Sequence, residues 1–239
     1  MAKIKKKTPK AQHQPAEEIR SIAHRVADSY RAHRNPFNAA LAVIVVAAAV
    51  LIVSALISAN KEKQASLLLA AAYQAAEPGG AVPVSYPLAL QRFQDVVRQY
   101  GGTMSGAVAQ YSLGNTYAEM MQYDQAVQEY EKFTKQYGKE RFLLPFVYQR
   151  MGYAYLALGK QDQAIDAFRR AEAAGGPGPA TVELARLYDR SGNAVEAQKK
   201  YKEVSEKLAA TSWAVEARAK LPPPVLTAPV SVPAGTGGK

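Results

Sequence analysis

The sequence predicts an all-α protein, one transmembrane helix followed by a solenoid of helical hairpins, and three observations carry that prediction. No residue between Arg34 and Lys61 bears a charge. Beyond that stretch, a pattern of small and aromatic residues recurs, marked by Ala89, Ala126, Ala164 and Ala197. No Cys occurs at all, and the three His (His13, His24, His33) all precede the apolar stretch. The length of 239 residues is ample for one or two packed domains. Without Cys there are no disulfides, thiolate zinc sites, iron–sulfur clusters or cysteine nucleophiles. Beyond His33, His-based triads and most zinc chemistry are excluded as well.

The N-terminal tail, residues 1–35, concentrates the charge. Of a net +10 for the chain, +6 lies here, where nine Lys and Arg outnumber Glu17, Glu18 and Asp28. Positions 36–239 hold 21 basic and 17 acidic groups. The total therefore does not describe a uniformly basic surface, and nucleic acid is not an expected partner. Within the tail, Ile19, Ile22, Ala23, Val26, Tyr30 and His33 fall on one stripe of a helix, with Arg20, His24, Arg25, Asp28 and Arg31 on other faces. Such a basic amphipathic helix either docks on an anionic leaflet or a partner helix, or serves only to fix topology. Asn35-Pro36 is expected to break it, because Pro disfavours helical backbone in the residue ahead of it.

Residues 36–60 form the span. Positions 37–59 are apolar, interrupted only by Asn38, Ser54 and Ser58. As a helix rising about 1.5 Å per residue, this stretch covers roughly 35 Å, enough for a hydrocarbon core of about 30 Å. A cleaved signal peptide is the rival reading. Its apolar region is normally about 7–15 residues, and Ile57-Ser58-Ala59 makes a poor cleavage site, so an uncleaved anchor fits better. Nine basic residues precede the span and only Lys61 and Lys63 follow closely. The positive-inside rule then places the N-terminus in the cytoplasm.

Residues 61–221 repeat. Leu113-Gly114-Asn115-Thr116-Tyr117, Met151-Gly152-Tyr153-Ala154-Tyr155 and Leu184-Ala185-Arg186-Leu187-Tyr188 align. After each final Tyr, at one common spacing, comes Ala126, Ala164 or Ala197, and a helical turn later Tyr130, Phe168 or Tyr201. A looser copy precedes them, Leu69-Ala70-Ala71-Ala72-Tyr73 with Ala89 and Phe93, whose intervening loop around 77–83 is longer. Small residues at two facing positions let paired helices approach closely, and the aromatic fills the space one turn away. Gly159 and Gly192 are placed where a first helix ends and turns. Asp124 and Asp162 open second helices, where a carboxylate caps free N–H groups and favours the dipole.

This set resembles the tetratricopeptide repeat, running through residues 107–209 with a looser copy in 64–100. The sequence departs from that pattern in three ways. Gln110, Tyr148 and Thr181 stand where the repeat usually has Trp, and Met121 stands at a turn Gly. The steps from Ala89 to Ala126 and from Ala126 to Ala164 also exceed the usual period. The expected solenoid has three to four such units plus a capping helix, 213–221, with Trp213 as packing. Residues 222–239, rich in Pro and Gly, are expected to be an extended or disordered tail.

No acidic cluster, phosphate loop or aromatic–basic stripe points to catalysis, a metal, a cofactor or single-stranded nucleic acid, and the chain is read as a non-enzyme with no small-molecule substrate. The expected site is a protein-binding groove on the first helices, lined by Tyr111, Asn115, Glu119, Gln149, Tyr153, Arg186 and Arg190. Tyr and Arg dominate many interfaces, although Tyr111 and Tyr153 could equally pack between units. Relatives that clamp a peptide carboxylate use Lys and Asn at matching positions, and here Asn115 stands alone.

The order of parts (charged tail, one span, a helix containing Ala71-Ala72-Tyr73-Gln74-Ala75, then repeats) is similar to the ancillary subunit of the bacterial Sec translocon. That resemblance implies an inner-membrane protein with a periplasmic repeat domain, meeting translocon subunits, periplasmic folding factors or nascent secreted chains. The alternatives are an assembly factor for division, lipoprotein or pilus machinery, and a membrane-anchored regulator acting through its basic tail.

Overall fold

A computed structural model describes residues 15–32, 34–76 and 85–223. Every regular element among them is a helix, and the chain divides into two compact units, residues 1–60 and 61–239. The first tail residues, the loop at 77–83 and nearly all of the Pro/Gly-rich tail lie outside the described residues, as do the side chains of Ile19, Tyr30 and His33 from the expected amphipathic stripe.

In the first unit, α1 (Pro15–Ala32) leaves Ile22 and Val26 exposed. Helix α2 (Arg34–Ala76) starts earlier than a break at Asn35-Pro36 would allow. Both residues lie inside its first turn. The physical reason is that the first four N–H groups of a helix have no intrahelical acceptor, so the missing Pro36 donor costs nothing there. The residues of α2 up to Asn60 carry Leu41, Ile44, Leu51 and Leu56 outward. Among the described residues this is the one helix long and apolar enough to cross a membrane, with a mean hydropathy of 3.1 over its most apolar window, none of it buried.

The second unit begins with the remainder of α2 and continues as hairpins: α3 (Tyr86–Tyr100), α4 (Met104–Glu119) with α5 (Tyr123–Gln136), α6 (Leu144–Ala157) with α7 (Gln161–Gly175), and α8 (Pro179–Arg190) with α9 (Ala194–Lys207). Helix α10 (Ser212–Lys220) closes the stack against α9, burying Ala214 and Ala217 while Trp213 packs against the main core. That core runs continuously from Ala107 to Ala217 through Tyr130, Phe133, Phe168 and Leu184. A smaller one, rich in alanine, joins the C-terminal part of α2 to α3 and α4 around Phe93 and Leu113.

The repeat pattern works through close approach. A Cβ at Gly114 would overlap the Tyr130 ring, and one at Gly152 would lie 2.6 Å from the Phe168 ring. Gly159 and Gly192 have φ of +71° and +74°, closing their first helices in the left-handed region that glycine enters without cost. Met121 adopts φ +60° at the equivalent turn. The three positions without Trp are filled in different ways. Gln110 is buried and donates to the Glu129 carbonyl (3.0 Å) and carboxylate (2.8 Å). Tyr148 lies 6.0 Å from the Arg170 guanidinium. Thr181 is fully buried, and its hydroxyl accepts from the Gly178 N–H at 3.0 Å.

The expected capping by Asp124 and Asp162 is not what the structure has. Both sit inside the first turns of their helices, which Gln122 and Lys160 precede, and no side-chain cap bond forms at either start. They favour the helix dipole from that first turn. Asp124 also accepts from Lys160 of the next turn at 3.2 Å.

Candidate functional site

The first helices α4, α6 and α8 run side by side in register, and their shared face carries the candidate groove. Between α4 and α6 it deepens into a cleft of about 340 Å³ whose polar lining includes Asn115, Glu119, Arg150 and Tyr153, with Tyr130 at its base and Met121 at its rim. Asn115, Glu119 and Tyr153 from the predicted set therefore line one hollow.

Each side chain is held by a specific neighbour. Asn115 accepts from the buried Tyr130 hydroxyl at 2.8 Å, which fixes its amide and leaves the NH₂ group toward the cleft. Tyr111 packs beside the same ring, with centroids 6.2 Å apart, and its hydroxyl lies near the Arg150 guanidinium. Tyr153 stands edge-on to Phe168 at 5.2 Å, so its ring is anchored while its hydroxyl reaches the groove beside Gln149. Burial pushes the Tyr153 hydroxyl above its ordinary pKa, and the nearby Glu183 carboxylate pushes the same way. Tyr153 stays protonated at neutral pH and can donate.

Arg186 is committed elsewhere. Its guanidinium forks onto Glu216 of α10 at 2.8 and 2.5 Å and onto Glu183 at 2.9 Å. Those carboxylate bonds hold its pKa well above the usual arginine value. Arg190, in the last turn of α8, is exposed and makes no hydrogen bond or ion pair with the described residues. Glu119 is exposed and acts on Arg150 across the cleft.

Arg150 and Glu183 join the groove beyond the predicted set. Arg150 lies one helical turn before Tyr153 and so shares its face as surely as Gln149 does. That spacing was the available signal. Glu183 lies one turn before Arg186, but its role depends on Glu216 of α10, and local spacing says nothing of that. On the opposite side of the stack a second hollow of about 420 Å³ lies between α5 and α7, where Glu131, Lys135, Asp166 and Arg170 surround Tyr148 and Tyr155. No group of three or more His, Cys, Asp or Glu among the described residues is placed to hold a metal ion.

A row of first helices with a polar, aromatic shared face, backed by second helices whose rings seat on Gly and Ala, defines a helical-hairpin solenoid. Residues 108–139 and 147–173 each match a family model described as tetratricopeptide repeat. Among solved structures, the fold is similar to a tetratricopeptide repeat protein from Parabacteroides merdae, with 14% identity over 66% of this chain and 59% of that one and a TM-score of 0.55. It is also similar to a putative kinesin light chain with nearly identical repeats from Podosopora anserina, with 19% identity over 67% and 84% and a TM-score of 0.51. This chain thus spans about three fifths of the length of the first of these, 59% of it. No curated protein matches the sequence.

Proposed function

We propose that the protein is a non-enzymatic scaffold anchored in the bacterial inner membrane by residues 36–60, with residues 1–35 in the cytoplasm and the repeat domain, residues 61–221, in the periplasm. The repeat domain captures an extended polypeptide in the groove of α4, α6 and α8, and the partners are translocon subunits, periplasmic folding factors or secreted chains emerging at the Sec translocon. The observation that carries the binding role is the cleft itself: Arg150, Glu119 and the Asn115 amide present charge and donors around the anchored Tyr153 ring. A rigid aromatic flanked by polar groups is the composition that dominates protein interfaces. The apolar, wholly outward-facing stretch of α2 and the excess of basic residues ahead of it support the anchor and its orientation.

Photo-crosslinking in the native membrane tests this reading, with probes in place of Tyr111, Tyr153 and Arg190. Adducts to translocon subunits, folding factors or nascent secreted chains support it. Adducts to one division, lipoprotein or pilus complex keep the scaffold and replace the translocon assignment. Capture by probes in the basic tail alone removes the groove from the function. Orientation is read separately: in spheroplasts, Lys207→Cys should react with a membrane-impermeant thiol reagent and Lys10→Cys should not.

A further inference from the structure

The two edges of the repeat stack differ in chemistry, and the difference follows the point where the chain enters the domain. Glu62, at the start of this unit, accepts from the Met104 N–H at 2.8 Å and the Ser105 N–H at 3.0 Å, satisfying free donors at the start of α4. Gln64 accepts from the Tyr100 hydroxyl at 3.1 Å. The entering helix is thereby pinned to the turn between α3 and α4. That turn neighbours the next one on the same edge, since a Cβ at Gly101 would lie 3.4 Å from the Tyr137 hydroxyl, and Pro145 in turn abuts Gly175 of the third. All the turns that lead into first helices therefore share the edge on which the chain enters.

That edge exposes large apolar side chains where a loop normally shows polar ones. Phe142 is 61% exposed and Phe146 52%, and Met104 is exposed as well. Lys139 and Arg141 flank Phe142 in the same turn, exposed and without an ion pair among the described residues, and Lys61 and Lys63 stand likewise at the point of entry. Glu62 is engaged with α4, which leaves Glu140 as the near acidic group. The opposite edge, where first helices turn into second ones, exposes the aliphatic Met121 and Val195 but no aromatic ring comparable to Phe142, and carries Glu119, Asp124, Asp162 and Asp189 against Lys160, Arg190 and Lys220. Exposed aromatics beside unpaired cations match an interface of acyl chains beneath anionic headgroups.

We propose that this edge rests on an anionic membrane surface, with Phe142 and Phe146 inserted at the headgroup level and Lys139 and Arg141 on lipid phosphates. The proposal builds on the reading of residues 36–60 as a membrane anchor, which supplies a bilayer next to the point of entry. A domain tethered this closely meets lipid at a high effective concentration, so a patch too weak to bind membranes alone suffices.

The absence of cysteine makes the test direct. The full chain is reconstituted in nanodiscs containing phosphatidylglycerol, with single nitroxide labels on Phe142→Cys, Phe146→Cys, Met121→Cys and Leu51→Cys. Collision with oxygen against a water-soluble nickel complex reports immersion. The expected result is a severalfold higher oxygen preference at 142 and 146 than at 121. That preference should fall in purely zwitterionic discs, in the Lys139→Glu/Arg141→Glu background, and in molar salt, where screening shortens to about 3 Å. Aqueous behaviour at 142 and 146 together with immersion at 51 overturns this proposal and leaves the anchor standing. An aqueous label at 51 overturns both. Immersion at 142 and 146 that is indifferent to lipid charge and to the double reversal overturns the electrostatic part of the proposal and leaves insertion driven by the apolar rings alone.

Discussion

At the level of single residues, the repeat depends on where a Cβ is permitted. Met121 holds φ +60° at a turn whose two counterparts are Gly159 and Gly192, and its side chain is 75% exposed, so it gains little from packing. A left-handed non-glycine residue costs about 1–2 kcal/mol, and glycine loses about 0.4–1 kcal/mol through the freedom it adds to the unfolded chain. The difference favours glycine, and Met121→Gly should stabilise the domain by about 0.5–1 kcal/mol, read as a higher urea midpoint with an unchanged slope. A midpoint that stays or drops would mean that Met121 contributes packing at the rim of the cleft. Gly114 presents the reverse case. Alanine there improves helix propensity by about 1 kcal/mol, but its Cβ meets the Tyr130 ring, which is fully buried and tied through its hydroxyl to Asn115. Overpacking of about 1–3 kcal/mol outweighs the propensity. Gly114→Ala should therefore lower the urea midpoint, and because Tyr130 forms the base of the cleft it should also weaken any ligand captured beside Asn115.

At the level of the element, two carboxylates add to the packing that holds α10. Arg186 hydrogen-bonds Glu216 and holds its carboxyl below the usual range, and Lys220 does the same for Asp189 at 2.8 Å. A depressed carboxylate stabilises the fold above its ordinary pKa, and that contribution is lost as pH falls through the lower, folded value. The attachment of α10 should thus be strongest at neutral pH and weaken in acid, below about pH 4, while the packing of Ala214, Ala217 and Trp213 still contributes. Trp213, the only tryptophan, lies half-buried on α10 and reports it directly. Its emission should shift to the red on acidification before the helical circular dichroism of the stack is lost, and Glu216→Gln should produce part of that shift already at neutral pH. Emission that follows the global transition at every pH would show that α10 has no separate lock. This element also marks how far the sequence could be read. The hairpins of α4 to α9 were legible because Gly114, Gly152 and Ala185 each announce a ring at one fixed distance along the chain, and a local spacing encodes that contact. Helix α10 was legible as a cap from its place after the last repeat, although it closes the stack through the small Ala214 and Ala217 and leaves Val215 exposed. The partner of Arg186 was not, because a contact between distant parts of the chain leaves no mark in local spacing. The break expected at Asn35-Pro36 lies a little earlier, with α1 ending at Ala32 and α2 beginning at Arg34, since proline is a breaker inside a helix and harmless in its first turn.

At the level of the whole domain, a solenoid distributes its stability as a sum of unit and interface terms, so a weak unit opens without the rest. The main core is built around Tyr130, Phe133, Phe168, Leu184 and Leu187, all essentially inaccessible. Among the described residues, the core that joins α2, α3 and α4 has Phe93 as its one large buried ring, supported by Ala72, Ala75, Ala89, Ala109 and the smaller side chains of Val96 and Leu113. Burial stabilises in proportion to the apolar area removed from water, about 25 cal/mol per Å², and alanine removes little. Helix α3 should consequently exchange its amide hydrogens faster than α6 and α7 in the intact protein. Phe93→Ala, which costs about 3–5 kcal/mol for a buried ring, should erase protection in α3 and leave α7 nearly unchanged. Uniform loss of protection across α3 to α9 would instead make the stack one cooperative block. The distinction bears on function, because Glu62 and Gln64 fasten the entering helix to this same weak unit. Local opening of α3 would release the Tyr100 hydroxyl from Gln64 and loosen the edge that carries Phe142, while the groove of α4, α6 and α8 kept its shape. A domain built this way holds its ligand on the stable units and its attachment on the labile one.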